Sequence, residues 1–404
     1  MQLYDDLEDF GSFDDTVAGD VRDPYPELAR MRRDEPVQRL DLSDMPHDEN
    51  KPVFFVYRYD DVARVLRDNE TFSSSIILDF FGDALGKDVM LGMDEPAHRR
   101  HRALVAGAFT QKAMARREHD RVGRIASELV DQFAADGRAD LVRQFTFPFP
   151  TKIIASLLGL PADDYPRFQR WSIALLSILT NRERGLAAAA ALRQYFAQIL
   201  AARRAEPRDD LISDLAVAEL DGGRLTDDEI FSFLRLLLPA GVETTYRSTG
   251  SMLFGLLSHP DQLDAVRADR SLIPQAIEEA VRWEPPLLSI TRVAARDTEL
   301  SGVPIPAGSA VMPMLGAANR EAERNPDPDR FDIHRQGRQH LSFGHGVHIC
   351  LGMHLARLEM RVALETLLDR LPGLRLDPDG DDPHIHGQVF RSPTSLPVLF
   401  DGPA

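Results

Sequence analysis

Cysteine is almost absent from this chain of 404 residues, in which Cys350 is the single example. One cysteine cannot form an intrachain disulfide, and this scarcity is typical of proteins in a reducing compartment. No stretch approaches the roughly 20 apolar residues that span a bilayer, and the acidic N-terminal segment lacks the basic and apolar regions of a signal peptide. We therefore expect a soluble, cytoplasmic protein without a membrane anchor.

Positive charge is also in short supply, because 47 lysine and arginine residues face 64 aspartate and glutamate residues and the net charge is −17. Such a surface repels nucleic acid, so no nucleic-acid partner is expected. The basic run at residues 99–102 is a local exception that could receive an acidic protein partner. Apolar residues make up 43% of the chain and charged residues 27%, which is ordinary for a globular enzyme with a large core.

The hydrophobic pattern predicts a mainly α-helical chain with a small β portion. No repeat or low-complexity linker divides it, so we expect one domain over residues 1–404, with a β-containing N-terminal part at about 35–60 and a helical bulk at about 95–285. Particular elements are expected as helices at 24–34, 60–67, 211–220, 274–283 and 351–371, and as extended segments at 37–42, 53–57, 290–294 and 309–312.

A long helix is expected to begin after Thr226. Thr226 and Glu229 fit a capping box, in which two side chains satisfy N–H groups at the helix start. Apolar residues then follow helical spacing as far as His259 and Pro260, which gives about 30 residues against the usual mean of ~11–12. A helix of this length is expected to cross the whole molecule.

The 343–352 segment carries the most information about function. Gly344 and Gly346 permit the backbone angles of a tight turn, and Cys350 lies where the last long helix is expected to begin. The free N–H groups and the dipole of a helix N-terminus stabilise a thiolate and lower the pKa of a thiol. A thiolate held in this way suits a metal ligand.

Other roles for this segment compete with that one. A lone cysteine is most often a small buried hydrophobe. A zinc site could combine Cys350 with the histidines at 345, 348 and 354, although no separated pair of Cys or His has zinc-finger spacing. A phosphate-binding loop is excluded, because Ile349 stands where a third glycine would be needed and no P-loop lysine follows.

The whole segment resembles the haem-binding signature of the cytochrome P-450 family, which reads Phe, Gly, any, Gly, any, His or Arg, any, Cys, any, Gly. Every specified position matches, and the matching residues are Phe343, Gly344, Gly346, His348, Cys350 and Gly352. The resemblance implies the cytochrome P-450 fold, with haem b between the long central helix and this loop. It also implies that Cys350 is the axial ligand of the iron.

Glu279 and Arg282 match the Glu-x-x-Arg pair of the same family. Residues three apart share a helix face, so the two side chains can pair. Taken alone, they would form a surface ion pair worth under about 1 kcal/mol. The resemblance instead implies a structural pair behind the haem with a third partner from residues 319–335, for which we expect Arg330.

The central helix is expected to be irregular around Ala240 and Gly241. Glycine costs about 1 kcal/mol relative to alanine inside a helix, Pro239 lacks an N–H, and adjacent threonines are poor helix formers. Positions that are unfavourable for a helix are often found where a functional site interrupts it. The resemblance implies a groove over the haem for O2, with Glu243 relaying protons and Thr244 steering them.

Four side chains are expected at the haem propionates by the same resemblance. His98 and Arg102 lie four residues apart on one helix face, and Arg292 and His340 match two further partners. Each alone would be a solvated surface group by default. Together, four cationic or donor groups suit two carboxylates.

The resemblance implies a monooxygenase that inserts one oxygen atom of O2 into an apolar small organic substrate, by hydroxylation or epoxidation. No flavin or nicotinamide fingerprint is present, so electrons are expected from an external ferredoxin and its reductase. An acidic ferredoxin is expected to dock on the basic proximal surface through Arg102 and Arg338. Two alternatives remain open. One is a haem-thiolate protein that binds ligands without oxygenase turnover, and the other is a zinc-binding protein.

An apolar lining of the substrate pocket is expected from a loop at 73–93 and from later segments, by family position. The candidate lining residues are Ile77, Phe80, Leu236, Leu287, Leu288, Ile290 and Phe390. Such a lining suits a terpenoid, steroid, fatty acyl or polyketide substrate and does not select among them.

Overall fold

Helices dominate the computed structural model of the protein, which describes residues 20–40, 51–111, 119–176, 178, 181–336 and 339–401. The α-helices span Tyr25–Asp34, Tyr59–Arg67, Ile76–Leu85, Ala97–Ala106, His119–Val130, Pro148–Leu157, Tyr165–Leu176, Arg182–Ala205, Leu211–Val217, Asp227–Leu238, Thr244–Leu257, Pro260–Ala268, Ile273–Trp283, Leu315–Asn319 and Met353–Arg370. Two π-helical turns lie at Val142–Thr146 and Pro239–Glu243. In the described parts of the chain, no helix combines the length and apolarity needed to cross a membrane.

The strands are short and form four small sheets. They span Val37–Leu40 (β1), Val53–Val56 (β2), Phe72–Ser73 (β3), Arg138–Asp140 (β4), Glu219–Leu220 (β5), Gly223–Arg224 (β6), Arg292–Ala294 (β7), Thr298–Leu300 (β8), Val303–Ile305 (β9), Ala310–Pro313 (β10), Arg375–Leu376 (β11) and Pro397–Leu399 (β12). The largest sheet has the order β1-β2-β10-β7-β3, in which only β2 and β10 are parallel. The others are β11-β12-β4, β5-β6 and β8-β9.

The predicted first helix and first two strands are confirmed to within one or two residues at each described end. Position 42, the predicted end of β1, lies outside the described residues. Val37 pairs with Val56 in the antiparallel β1–β2 ladder, and Val53 pairs with Ala310 in the parallel β2–β10 ladder. This sheet matters for the site because β7, which carries Arg292, joins the same sheet through β10.

The helix predicted over residues 211–220 is wrong at its C-terminal end. The helix stops at Val217, and Glu219–Leu220 pairs with Gly223–Arg224 as a hairpin. The cause is the turn between these strands, where Asp221 has φ +51° and Gly222 has φ +77°. An Asp-Gly pair with positive φ at both residues is the preferred two-residue hairpin turn, so the signal was present in the sequence.

The long central helix is confirmed. Residues 227–257 form two α-helical segments joined by the π-helical turn Pro239–Glu243. At the start, the Glu229 N–H donates to Thr226 Oγ1 at 3.3 Å and the Thr226 N–H donates to Glu229 Oε2 at 2.6 Å, which completes the predicted capping box. A π-helical turn inside an α-helix frequently marks a functional site, and this one falls where irregularity was expected.

Two other boundaries differ from the predictions. Residues 73–93 were expected as a loop, but they contain the helix Ile76–Leu85 and a 3-10 turn at Met90–Gly92. The last long helix begins at Met353 rather than at Leu351. Cys350 therefore lies three residues before the first helical residue.

Candidate active site

The loop that carries Cys350 is folded back on itself. The Cys350 N–H donates to the Phe343 carbonyl oxygen at 2.7 Å, and the Gly344 N–H donates to the Leu341 carbonyl oxygen at 2.8 Å. Gly344 and Gly346 adopt φ of +74° and +76°, a region that other residues rarely visit. The tight turn expected from the two glycines is therefore present.

Gly346 is needed for space as well as for its backbone angle. A Cβ at this position would lie 2.8 Å from Arg67 Cα and 2.9 Å from the Leu66 carbonyl oxygen. We expect Gly346→Ala to lower the free energy of unfolding by about 1–3 kcal/mol, because the loop must shift away from the helix Tyr59–Arg67. Denaturant unfolding measures this loss.

Gly302→Ala is the matched control for that prediction. Gly302 has φ +82°, but a Cβ there would meet nothing within 4 Å. Gly302→Ala therefore shows the loss of stability that backbone strain causes without a steric clash. Equal losses of stability in the two variants would contradict a role for the close approach of Gly346 to Arg67.

The charge environment of the Cys350 thiol differs from the expectation. Burial raises the pKa of this thiol and outweighs a hydrogen bond from the Gly352 backbone and the nearby charges of Arg102 and Arg357, all of which lower it. The helix start alone therefore does not produce a thiolate. A bound iron ion would do so, because a coordinating thiol loses its proton to the charge of the metal.

Four donor groups lie together near the Cys350 loop. The rings of His98 and His348 are 4.0 Å apart between centroids. Burial, together with the charges of Arg292, His98 and Arg102, lowers the pKa of His348 to about 3. Burial likewise lowers the pKa of Arg292 to about 10, with partial compensation from Asp94. Such a concentration of buried donors and positive charge favours an anionic ligand.

The residues at this place fit a haem group. Nε2 of His98 and Nε2 of His348 are buried, and neither has a hydrogen-bond partner among the described residues. Buried polar atoms are rarely left unpaired, so these two nitrogens indicate a missing partner such as a propionate oxygen. A Cβ on Gly352 would meet nothing within 4 Å, which leaves open space beside the Cys350 loop.

His340 is engaged elsewhere than its predicted role implies. Its Nε2 lies 3.0 Å from Glu278 Oε2, and Arg357 donates to both oxygens of the same carboxylate at 2.6 and 2.9 Å. Burial would raise the pKa of Glu278, but the bonds from Arg357 and His340 lower it to about 2. Nδ1 of His340 is buried without a hydrogen-bond partner among the described residues, so its place at a propionate stays a prediction beside its ion pair with Glu278.

The histidines considered for zinc do not form a metal cluster. Within the described parts of the chain, which include positions 345, 348, 350 and 354, no three His, Cys, Asp or Glu side chains are grouped so that they could hold a metal ion. The His348 ring instead lies against the His98 ring at an angle of 43°. The arrangement of donors therefore favours a planar anionic group over a zinc ion.

Glu279 and Arg282 form a buried pair rather than a surface one. Both side chains are fully buried, and Arg282 Nε and Nη2 donate to the two carboxylate oxygens at 2.7 and 2.9 Å. The third partner is Arg335, whose Nε donates to Glu279 Oε1 at 3.2 Å. The expectation of Arg330 was wrong, because Arg330 contributes only its backbone carbonyl, which accepts from Arg282 and Arg335.

The predicted proton-relay residues lie on the π-helical turn and just after it. Thr244 Oγ1 donates to the Ala240 carbonyl oxygen at 2.8 Å. Ala240 is exposed although it lies between buried residues of the central helix, so the helix faces open space here. Glu243 is 1% exposed, and its Oε1 accepts from Arg247 Nε at 2.7 Å and from the Tyr246 hydroxyl at 3.2 Å.

Arg247 was not singled out from the sequence. It is fully buried and lies one helical turn after Glu243, with Nη2 2.5 Å from the same carboxylate oxygen. The spacing of four residues between an acid and a following base was the available signal. That signal is weak, because such pairs are common on exposed helix faces.

Some of the candidate pocket residues belong to apolar clusters and others do not. Leu288 packs with Tyr25, Leu28 and Met314 in a separate apolar cluster, and its place in the pocket lining stays a prediction. Ile290 and Phe80 pack against clusters of the large sheet, and Leu236 belongs to the main core. Ile77, Leu287 and Phe390 belong to none of these clusters, and Leu287 pairs with Phe390 in an isolated antiparallel bridge.

The sequence is similar to that of known haem proteins, in agreement with the geometry of the site. The family model described as cytochrome P450 matches residues 162–396. Vitamin D(3) 25-hydroxylase of Pseudonocardia autotrophica is 39% identical over 387 residues, which cover 94% of this chain and 94% of that protein. Mycinamicin IV hydroxylase/epoxidase of Micromonospora griseorubida is 40% identical over 378 residues, which cover 92% of this chain and 94% of that protein.

Solved structures resemble the chain over almost its whole length. The ligand-free structure of cytochrome P450 TbtJ1 has a TM-score of 0.85 and 38% identity, and the match covers 93% of this chain and 97% of that one. The structure of CYP109E1 from Bacillus megaterium in complex with testosterone has a TM-score of 0.85 and 32% identity, with 94% and 99% covered.

Proposed function

This chain belongs to the cytochrome P450 family and is a haem-thiolate monooxygenase that uses haem b and O2, and we propose that Glu243 and Thr244 deliver its protons while an apolar pocket holds its substrate. The observation that carries this proposal is the opened helical turn, where Thr244 bonds to the Ala240 carbonyl oxygen and Ala240 faces open space.

The chain contributes an axial ligand and an anion clamp. Bound haem supplies the iron at which O2 is activated. Cys350 would hold that iron as a thiolate, which donates electron density and favours O–O cleavage. The buried His98 and Arg292 and the partly buried Arg102 and His348 would hold the two propionates, and the propionates would provide the negative charge and the acceptors that these donors need.

Proton delivery falls to adjacent residues on the central helix. The Thr244 hydroxyl donates to the Ala240 carbonyl oxygen, and a bond of this kind bends a helix. Glu243 is buried one residue earlier, where its carboxyl can exchange a proton with the interior. Transfer by positioned groups of this kind contributes about 10²–10⁴-fold to the rate of a reaction.

Thr244→Ala is expected to uncouple turnover. The electrons consumed would appear as hydrogen peroxide rather than as product, because the hydroxyl that steers the proton is absent. We expect the fraction of electrons recovered in product to fall by about tenfold, which is less than the ~10²-fold lower end of the usual range because Glu243 is retained. Product and peroxide are measured per O2 consumed.

Thr244→Ser is the matched control for that variant, since it keeps the hydroxyl. It is expected to retain most of the coupling. Unchanged coupling in Thr244→Ala would refute the role given to Thr244. A wild-type protein that binds apolar compounds but consumes no O2 would instead support the ligand-binding alternative.

The substrate class is inferred from the apolar side chains that remain outside the core clusters. Ile77, Leu287 and Phe390 are the candidates with the strongest support, and they offer no charge to a ligand. One relative is named for hydroxylating vitamin D(3) and another for oxidising mycinamicin IV. We infer a steroid-like or polyketide-like substrate, and an absorbance-shift screen of such compounds against the purified protein tests this.

Electrons are inferred to come from an acidic ferredoxin-type partner. The charge of Arg102 acts on Cys350, and Arg99 on the same helix has a side chain that is 82% exposed. A positive surface beside the thiolate would attract such a partner at low ionic strength. Arg338, which was also expected at this surface, lies outside the described residues.

A further inference from the structure

A buried arginine connects the proposed proton-relay acid to a distant part of the chain. Arg247 is completely buried and holds Glu243 Oε1 through Nε at 2.7 Å and through Nη2 at 2.5 Å. Its Nη1 donates to Ser392 Oγ at 3.1 Å, 145 residues further along the chain. One guanidinium group thus bridges the central helix and the C-terminal region.

The C-terminal side of this bridge lies at the proposed pocket. The guanidinium carbon of Arg247 is 5.2 Å from the centre of the Phe390 ring. Leu287 pairs with Phe390 across a β-bridge, and the Arg391 N–H donates to the Pro286 carbonyl oxygen at 3.0 Å. The 389–392 segment, which contains Phe390 and Ser392, is therefore held directly against a pocket candidate.

Glu243 is tightly held in this arrangement. Three donor atoms, two from Arg247 and one from Tyr246, converge on its Oε1. Charge-assisted bonds from a guanidinium fork fix both the distance and the orientation of a carboxylate. A carboxyl that must exchange a proton with a groove has to loosen or rotate, and that movement requires Arg247 to shift.

We propose that Arg247 is a positioning residue that restrains Glu243 and that the 389–392 segment controls this restraint, so that pocket occupancy governs proton delivery. This inference rests on the proposed role of Glu243 as relay acid. A ligand that presses on Phe390 would displace the segment and, through Ser392, the guanidinium. Without a ligand, the restraint would suppress the wasteful reduction of O2 by two electrons and two protons to hydrogen peroxide.

The test uses the substrate-free holoenzyme with a ferredoxin-type electron donor. Arg247→Lys keeps a positive charge next to Glu243 but cannot bridge to Ser392, and Ser392→Ala removes only the far end of the bridge. Both variants are expected to raise substrate-free peroxide formation by about fivefold or more, at the lower end of usual coupling between linked sites. Rates equal to those of the wild type would overturn the proposal.

A double variant shows whether the effect passes through the relay acid. Glu243→Gln combined with Arg247→Lys is expected to show no rise in peroxide formation over the wild type, since the restrained acid is gone. A rise in this double variant would also overturn the proposal. Reduced CO spectra of all variants verify that the haem site is intact, and a wild type without O2 consumption would instead contradict the proposed function itself.

An infrared measurement provides a readout that does not depend on turnover. The carboxylate band of Glu243 in the resting protein is identified by its loss in Glu243→Gln. Ser392→Ala is expected to shift this band, because the guanidinium that holds the carboxylate loses its distant anchor. In an Arg247→Lys background, Ser392→Ala is expected to have no further effect. An unshifted band in Ser392→Ala, or a full additional shift in the Arg247→Lys background, would contradict the proposed link from Ser392 through Arg247 to Glu243.

Discussion

Cys350→Ser is expected to abolish monooxygenation by this chain, with a loss on the order of 10³-fold or more. Serine is close in size but does not supply the sulfur ligand that donates electron density to iron. The loop should still fold, because its shape depends on the Cys350 N–H bond to Phe343 and on the positive φ of Gly344 and Gly346. Product formation and the reduced CO spectrum are the measurements.

His354→Ala separates this account from a zinc site in the same loop. A zinc site built from the loop histidines would lose metal in this variant, whereas a haem-thiolate site would keep its iron and its spectrum. Retention of the thiolate-type CO band in Cys350→Ser would contradict the assignment of the axial ligand.

Arg282→Met is expected to lower the free energy of unfolding by about 3–5 kcal/mol, because Glu279 would be left charged and under-compensated inside the protein. Arg282 also donates to the Asn319 and Pro328 carbonyl oxygens, so the helix Ile273–Trp283 would lose its tie to the following segment. Unfolding by urea measures the loss, with haem content as a second readout.

Arg335 and Arg330 offer an internal comparison for this network. Arg335 reaches Glu279 with its side chain, whereas Arg330 is exposed and supplies a backbone carbonyl that any residue can supply. Arg335→Met is therefore expected to be clearly destabilising, while Arg330→Met should change stability by less than about 0.5 kcal/mol. A larger loss for Arg330→Met would mean that the buried network has been misassigned.

Local signals predicted the elements, and the resemblance of the 343–352 segment to the cytochrome P-450 signature implied the central chemistry of the site. The capping box at Thr226, the weak helical positions around Gly241 and the two loop glycines each act over a few residues, so their patterns can be read directly. The hairpin turn at Asp221 and Gly222 belongs to the same category. It was missed because helical spacing through Leu220 was given more weight than the Asp-Gly pair that follows it.

Partners that meet only in three dimensions could not be predicted in this way. The choice of Arg335 over Arg330 depends on how the segment after Asn319 folds around Glu279. His340 and His348 are both histidines of one segment, and only the fold shows that the first pairs with Glu278 while the ring of the second lies against His98. The separate packing of Leu288 and the burial of Arg247 follow from tertiary contacts in the same way.

The reduced CO spectrum of the purified wild-type protein tests the central claim most directly. A Soret band at the long wavelength typical of thiolate-bound haem, together with stoichiometric iron, is the predicted result. A band at the shorter wavelength of histidine-bound haem would contradict Cys350 as the ligand, and zinc without iron would contradict the haem site altogether.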